Sequence, residues 1–138
     1  MLDLSADAAA ALDERLRAED IGWLTTVTRD GQPQSSPVWF LWDDGEFLVY
    51  AQPRSPKVRN IRAHPQVSLH LNSNDRGGAV VTFEASASIA ADQPPVDQAD
   101  AYLAKYRAEI ASIGTTPERM AADYSTALRL TPTRVRVF

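Results

Sequence analysis

With 138 residues, 44% of them hydrophobic and 23% charged, the chain has the size and balance of one globular domain, 1–138, able to bury roughly 70% of the surface its unfolded form exposes. A net charge of −4 disfavours duplex nucleic acid as a partner, because phosphate-backbone binding needs a broad basic face. The lack of cysteine removes disulfides, thiolate catalysis and Cys-ligated metal, and two histidines without a neighbouring carboxylate give no basis for a metal site.

In chain order, Ser5 can cap a helix running to about Glu19, with Ala8, Leu12 and Leu16 as its apolar stripe. The acids in this opening segment stand where a signal peptide carries early positive charge, and no apolar run spans a bilayer, so the expected location is the cytoplasm, with no membrane partner. "IGWLTTVT" has the β-branched and aromatic composition of a strand, "RDGQ" a turn, and "PQSSPVWFLW" a second strand. "DDG" at 43–45 turns the chain into a third, "EFLVYAQ". Ser55 and Pro56 start a helix, the serine hydroxyl capping its free amides, and the helix stops before Pro65. "QVSLHLN" alternates as a fourth strand, "SNDRGG" turns, and "AVVTFEASASIAA" is a fifth. Asp97 to Gly114 and the segment capped by Thr116 read as two helices, and "ALRLTPTRVRVF" closes the domain as a sixth strand. Short strand spacing without βαβ alternation predicts a mainly β architecture, an antiparallel barrel with added helices, closed so that no edges stay exposed.

One stretch departs from the acidic background. Arg54, Lys57, Arg59 and Arg62 fall within nine residues, and no Asp or Glu occurs between Glu46 and Asp75. A helix start offers unsatisfied N–H groups and the positive end of a dipole, so the Ser55–Pro56–Lys57 corner can hold a phosphate or carboxylate. The competing reading is a solvated helix face with four loose cations.

The order of strand, turn, Ser–Pro–Val strand, strand, "PRSPKVRNI" and "HPQVSL" resembles the pyridoxamine 5′-phosphate oxidase-like superfamily of flavin and deazaflavin binders, across nearly the whole chain. "PKVRNI" and the ending "TPTRVRVF" look most like its branch that uses coenzyme F-420, a deazaflavin. The resemblance implies an FMN-binding-like split β-barrel of six or more antiparallel strands. It also implies a homodimer with cofactor clefts at the subunit interface. It places the phosphate tail on Arg54, Ser55, Lys57, Arg59 and Asn60, and the ring along Ser35, Ser36, Pro37, Val38, Tyr50, Ala51 and Gln52. The loop Asn72, Ser73, Asn74 and Asp75 matches a segment that approaches the cofactor, and Tyr106 would reach in from a partner subunit.

Other residues have simpler readings. The three tryptophans are commoner as core or dimer contacts, with Trp39 the best stacking candidate; Ser35 and Ser36 either bind cofactor or pair across strands. His64 reads as a helix-end cation, His70 as a strand-surface residue, and Arg129, Arg134 and Arg136 as exposed strand residues, with Glu84 available to pair with one of them. No G-x-S-x-G, catalytic triad, Rossmann or P-loop fingerprint occurs. The expected function is therefore cofactor-borne chemistry: hydride transfer between F-420 and a small organic acceptor, with no catalytic side chain assigned. The alternatives are an FMN- or FAD-dependent oxidase or reductase on the same scaffold, or a carrier that binds the cofactor without turnover.

Overall fold

The structure is a computed structural model describing residues 3–138. Its elements are α1 (Ala6–Ala18), β1 (Ile21–Val27), β2 (Pro33–Trp39), β3 (Leu41–Asp43), β4 (Glu46–Ala51), α2 (Pro56–Ala63), β5 (Gln66–Leu71) and β6 (Val81–Ile89). A 3-10 turn (Val96–Gln98), α3 (Asp100–Ser112), α4 (Pro117–Asp123) and β7 (Thr126–Val137) complete the chain. The strands form one antiparallel sheet in the order β2-β1-β5-β6-β7-β4-β3. β2 and β3 lie at opposite edges of that sheet, yet only Phe40 separates them in sequence. A sheet whose two edges are one residue apart must curl back on itself, which makes this a split barrel.

The sequence reading joined β2 and β3 into one strand; the structure breaks them at Phe40. Its N–H donates to the Tyr106 hydroxyl at 2.8 Å, and its carbonyl accepts from Lys105 Nζ at 2.9 Å, so α3 takes both groups from the ladder. The helix expected from Asp97 begins at Asp100 after the 3-10 turn and ends at Ser112, with Gly114 at φ +80° just beyond. Pro132 sits inside β7 opposite Ala85, where a register shift between Glu84 and Ala85 accommodates a residue with no N–H to give.

Two cores flank β4. Inside the barrel, Phe47, Val49 and Ala51 pack with Phe40, Phe83 and Leu69, under Leu12 and Leu16 of α1 and Val58 and Ile61 of α2. On the outer side, Leu48 and Tyr50 pack against Tyr102, Tyr106 and Ile110 of α3 and Met120 of α4. Being covered on both faces is why "FLVYA" is apolar throughout rather than alternating. Gly22 lets β1 approach closely, since a Cβ there would stand 3.1 Å from Leu69 and 3.2 Å from Phe40. Among the described residues no helix is long and apolar enough to cross a membrane, and no group of three His, Asp or Glu side chains is placed to share a metal.

Candidate functional site

Where β2, β4 and α2 converge, the α3–α4 pair leaves a cleft of about 350 Å³. One wall is Pro37, Val38 and Trp39 of β2 with Tyr50 and Ala51 of β4; the other is Tyr102, Ile113, Thr115, Met120 and Tyr124, with Asp123 beside them. Lys57 stands at one end. It also lines a second depression of about 350 Å³ with Ser35, Ser36, Gln34, Thr26 and Pro56, so the two hollows meet at this lysine.

The local structure explains why Lys57 is there. Ser55 and Pro56 start α2, turning the chain at the end of β4 and setting the first helical turn against β1 and β2. Asn60 fixes the helix in place: its Nδ2 donates to Thr26 Oγ1 and to Gln34 Oε1, both at 2.9 Å. The Lys57 ammonium is half-buried, and burial lowers its pKa. Among the described residues it forms no ion pair. Beside it, Ser55 Oγ is buried without a hydrogen-bond partner, contrary to the expected cap: only the Ser55 carbonyl takes up helix amides, those of Val58 and Arg59. An unpaired cation and an orphaned hydroxyl at a helix start are unfavourable alone and are both satisfied by one anionic oxygen cluster. The donor set therefore fits a phosphate or carboxylate.

The expected ring positions Ser35, Ser36, Pro37, Val38, Tyr50 and Ala51 all reach one or other hollow. Ser35 also pairs across strands, its Oγ 2.6 Å from Thr25 Oγ1. Gln52 and Arg54 are exposed just beyond β4, and Arg59 is exposed with a guanidinium hydrogen bond to the Arg54 carbonyl. Arg62 lines a different depression, with Tyr50 and Ala90.

Other expected contacts are placed elsewhere. Asn60 is buried with its amide donors spent on Thr26 and Gln34, so it holds α2 in position rather than facing a ligand. Asn72 and Ser73 line a separate hollow with Trp23 and His70, and Asn72 Oδ1 accepts from Trp23 Nε1 at 2.7 Å. Tyr106 is fully buried within its own subunit, stacked on Trp39 at 4.9 Å, its hydroxyl engaged by Phe40 and Asp20; it does not extend toward a partner. Trp39 accordingly presents one face to Tyr106 while lining the cleft, and Trp42 is core. His64 is the C-cap residue of α2, and His70 is partly buried and stacked on Trp23. Arg129 is not an exposed strand cation: it is held 3.0 Å from Asp43 and donates to Gln93 Oε1 at 2.8 Å. Arg136 and Glu84 lie 3.9 Å apart on the sheet surface.

Sequence reasoning missed the α3–α4 wall. Tyr102, Met120 and Tyr124 carry no motif; the only available signal was an aromatic-bearing helix pair with a short connection, which reads equally as core.

A family model described as pyridoxamine 5′-phosphate oxidase matches residues 8–138. Among solved structures, an F-420 reductase is 25% identical over 90% of this chain and 94% of its own, at a TM-score of 0.71. A conserved hypothetical protein from Mycobacterium tuberculosis is 23% identical, with 99% of this chain and 86% of that one covered, at 0.77. A FAD-binding protein from Mesorhizobium loti is 20% identical over 96% and 92% of the two chains, at 0.69. The last two likenesses establish the fold alone. With the model spanning nearly the whole sequence and the barrel in agreement, this chain belongs to the pyridoxamine 5′-phosphate oxidase family.

Proposed function

We propose that the protein is an oxidoreductase that binds coenzyme F-420 and passes hydride between it and a small organic acceptor. One observation carries the reading: an apolar, aromatic-walled cleft and a serine-lined hollow meet at Lys57, a half-buried cation without an anionic partner. The coenzyme's phosphate would take Lys57 and Ser55, each charge-assisted hydrogen bond contributing on the order of 1.5–3 kcal/mol where water is partly excluded. Arg54 and Arg59, exposed nearby, suit a longer anionic tail. Pro37, Val38 and Ala51 would lie along the ring and keep water from it. When bound, the coenzyme supplies the hydride; the protein's residues supply position and dryness.

The likeness to an F-420 reductase supports this choice of coenzyme, and the likeness to a FAD-binding protein keeps FMN or FAD as the second reading. A homodimer with cofactor clefts at the subunit interface is the assembly the proposal implies. Side-by-side titration with F-420, FMN, FAD and haem tests the proposal. Saturable F-420 binding that Lys57→Ala weakens at least tenfold supports it; tight retention of a flavin instead moves the assignment to the second reading. Binding without oxidation of the reduced coenzyme against a broad acceptor panel identifies a carrier.

A further inference from the structure

The chain has two lysines, Lys57 and Lys105, and the fold treats them differently. Lys105 Nζ donates to the Glu19 and Phe40 carbonyls at 2.8 and 2.9 Å and sits 4.1 Å from the centre of the Phe40 ring, so its hydrogens are spent on the protein. It lines none of the hollows described above. Lys57 forms no ion pair among the described residues and stands where two hollows meet. An amine attacks a carbonyl only in its neutral form, and the partial burial that lowers the pKa of Lys57 enlarges that fraction. Burial brings Lys105 down as well, to about 8, so access rather than basicity separates the two.

The hollow between β2 and the start of α2 restricts the electrophile. Thr26, Gln34, Ser35, Ser36 and Pro56 line it, so it carries no charge besides Lys57. Gln34 Oε1 is taken by Asn60, and Ser35 Oγ shares a hydrogen with Thr25, which leaves the Gln34 amide hydrogens and the Ser36 hydroxyl for a ligand. Together they match a hydroxyl group, which accepts as well as donates. From this arrangement we propose that Lys57 captures a short, uncharged hydroxyaldehyde as an imine, with the aldehyde carbon at Nζ and the hydroxyl held by Gln34 and Ser36. The nitrogen lone pair forms the C–N bond, and the resulting carbinolamine loses the former carbonyl oxygen as water together with the two amine hydrogens. No electrons are exchanged and no co-reactant is needed. Capture goes beyond the coenzyme reading and does not depend on it, but it consumes the cation assigned there to a phosphate, so aldehyde and coenzyme exclude each other.

The test treats the protein, without coenzyme, with glycolaldehyde or with propionaldehyde, which lacks the hydroxyl, in the presence of cyanoborohydride to reduce any imine to a stable amine. Peptide mass spectrometry then follows labelling at Lys57, at Lys105 and at the amino terminus, whose α-amino group serves as the unassisted reference. Expected results are glycolaldehyde labelling of Lys57 about tenfold faster than of the amino terminus, at a rate that saturates with aldehyde concentration, and little label at Lys105. Relative to the amino terminus, propionaldehyde should label Lys57 about fivefold more slowly than glycolaldehyde does, and Ser36→Ala should narrow that gap. The comparison of the two aldehydes on the unaltered protein needs no variant. Labelling of Lys57 no faster than of the amino terminus, a rate that does not saturate, or equal preference for both aldehydes overturns the proposal. Saturable labelling of Lys57 in a protein that binds no F-420 keeps the capture site and refutes the coenzyme assignment, whereas F-420 binding without selective labelling does the reverse.

Discussion

Replacing Tyr106 by Phe decides between two roles for one hydroxyl. In the barrel it is a strut: Phe40 N–H donates to it at 2.8 Å, and it lies 2.7 Å from both the Phe40 and Asp20 carbonyls, donating to one at a time. Phe leaves the stacking on Trp39 intact and removes only the oxygen. The Phe40 carbonyl keeps Lys105, but the buried Phe40 N–H keeps nothing. One orphaned amide and one lost donor cost about 2–3 kcal/mol together, which for a chain of this size is a fall in Tm of about 10 °C. Thermal unfolding followed by circular dichroism measures it, with F-420 affinity at a temperature where both proteins are folded as the control. The strut predicts a large fall in Tm and unchanged affinity. A Tm within about 2 °C of the parent, combined with lost coenzyme affinity, would refute it and restore Tyr106 as a contact reaching across subunits.

Ser55→Ala removes a hydroxyl that is unsatisfied without ligand, so ligand-free stability is unchanged or slightly raised while F-420 affinity falls about tenfold; calorimetry and a melting curve separate the two effects. Lys57→Met likewise leaves the ligand-free Tm unchanged or higher and abolishes the coenzyme-induced shift in Tm; a marked destabilisation would mean that the ammonium already has a partner. Lys105 is brought to about 8 by burial, partly offset by Asp20, Glu19 and Glu109. Its unfolded value is near 10.5, so between pH 8 and 10.5 the unfolded chain binds more protons and the contribution to stability rises with pH. Urea unfolding at pH 7.5 and 9.5 should therefore show the parent gaining on Lys105→Met by on the order of 1–2 kcal/mol. A flat difference would mean that the Glu19 and Phe40 carbonyls, 2.8 and 2.9 Å away, hold the ammonium charged.

Local chemistry explains what the sequence made legible. Ser5 and Thr116 cap their helices as residue type and position imply, and the alternation of Val67, Leu69 and Leu71 translates directly into the buried face of β5. The start of α2 at Ser55 and Pro56 was visible because helix-start residues have few other uses. Non-local terms were not visible. Nothing in "VWFLW" announces that Tyr106, 66 positions later, takes the Phe40 amide out of the ladder. Likewise, Asn60 stands among cations in the sequence, but its amide is spent on Thr26 and Gln34, which only the packing of α2 against β1 and β2 brings within reach.

The strand order also sets a timetable for synthesis. β4 joins the sheet through β7, whose first residue is Thr126, so the β3–β4 hairpin waits for a partner made long after it. Until β7 leaves the ribosome, Phe47, Val49 and Tyr50 belong to an apolar ribbon that lacks its sheet neighbour, and a chain terminated at the α4–β7 junction would remain in that state, as a substrate for chaperones and proteases rather than a smaller barrel.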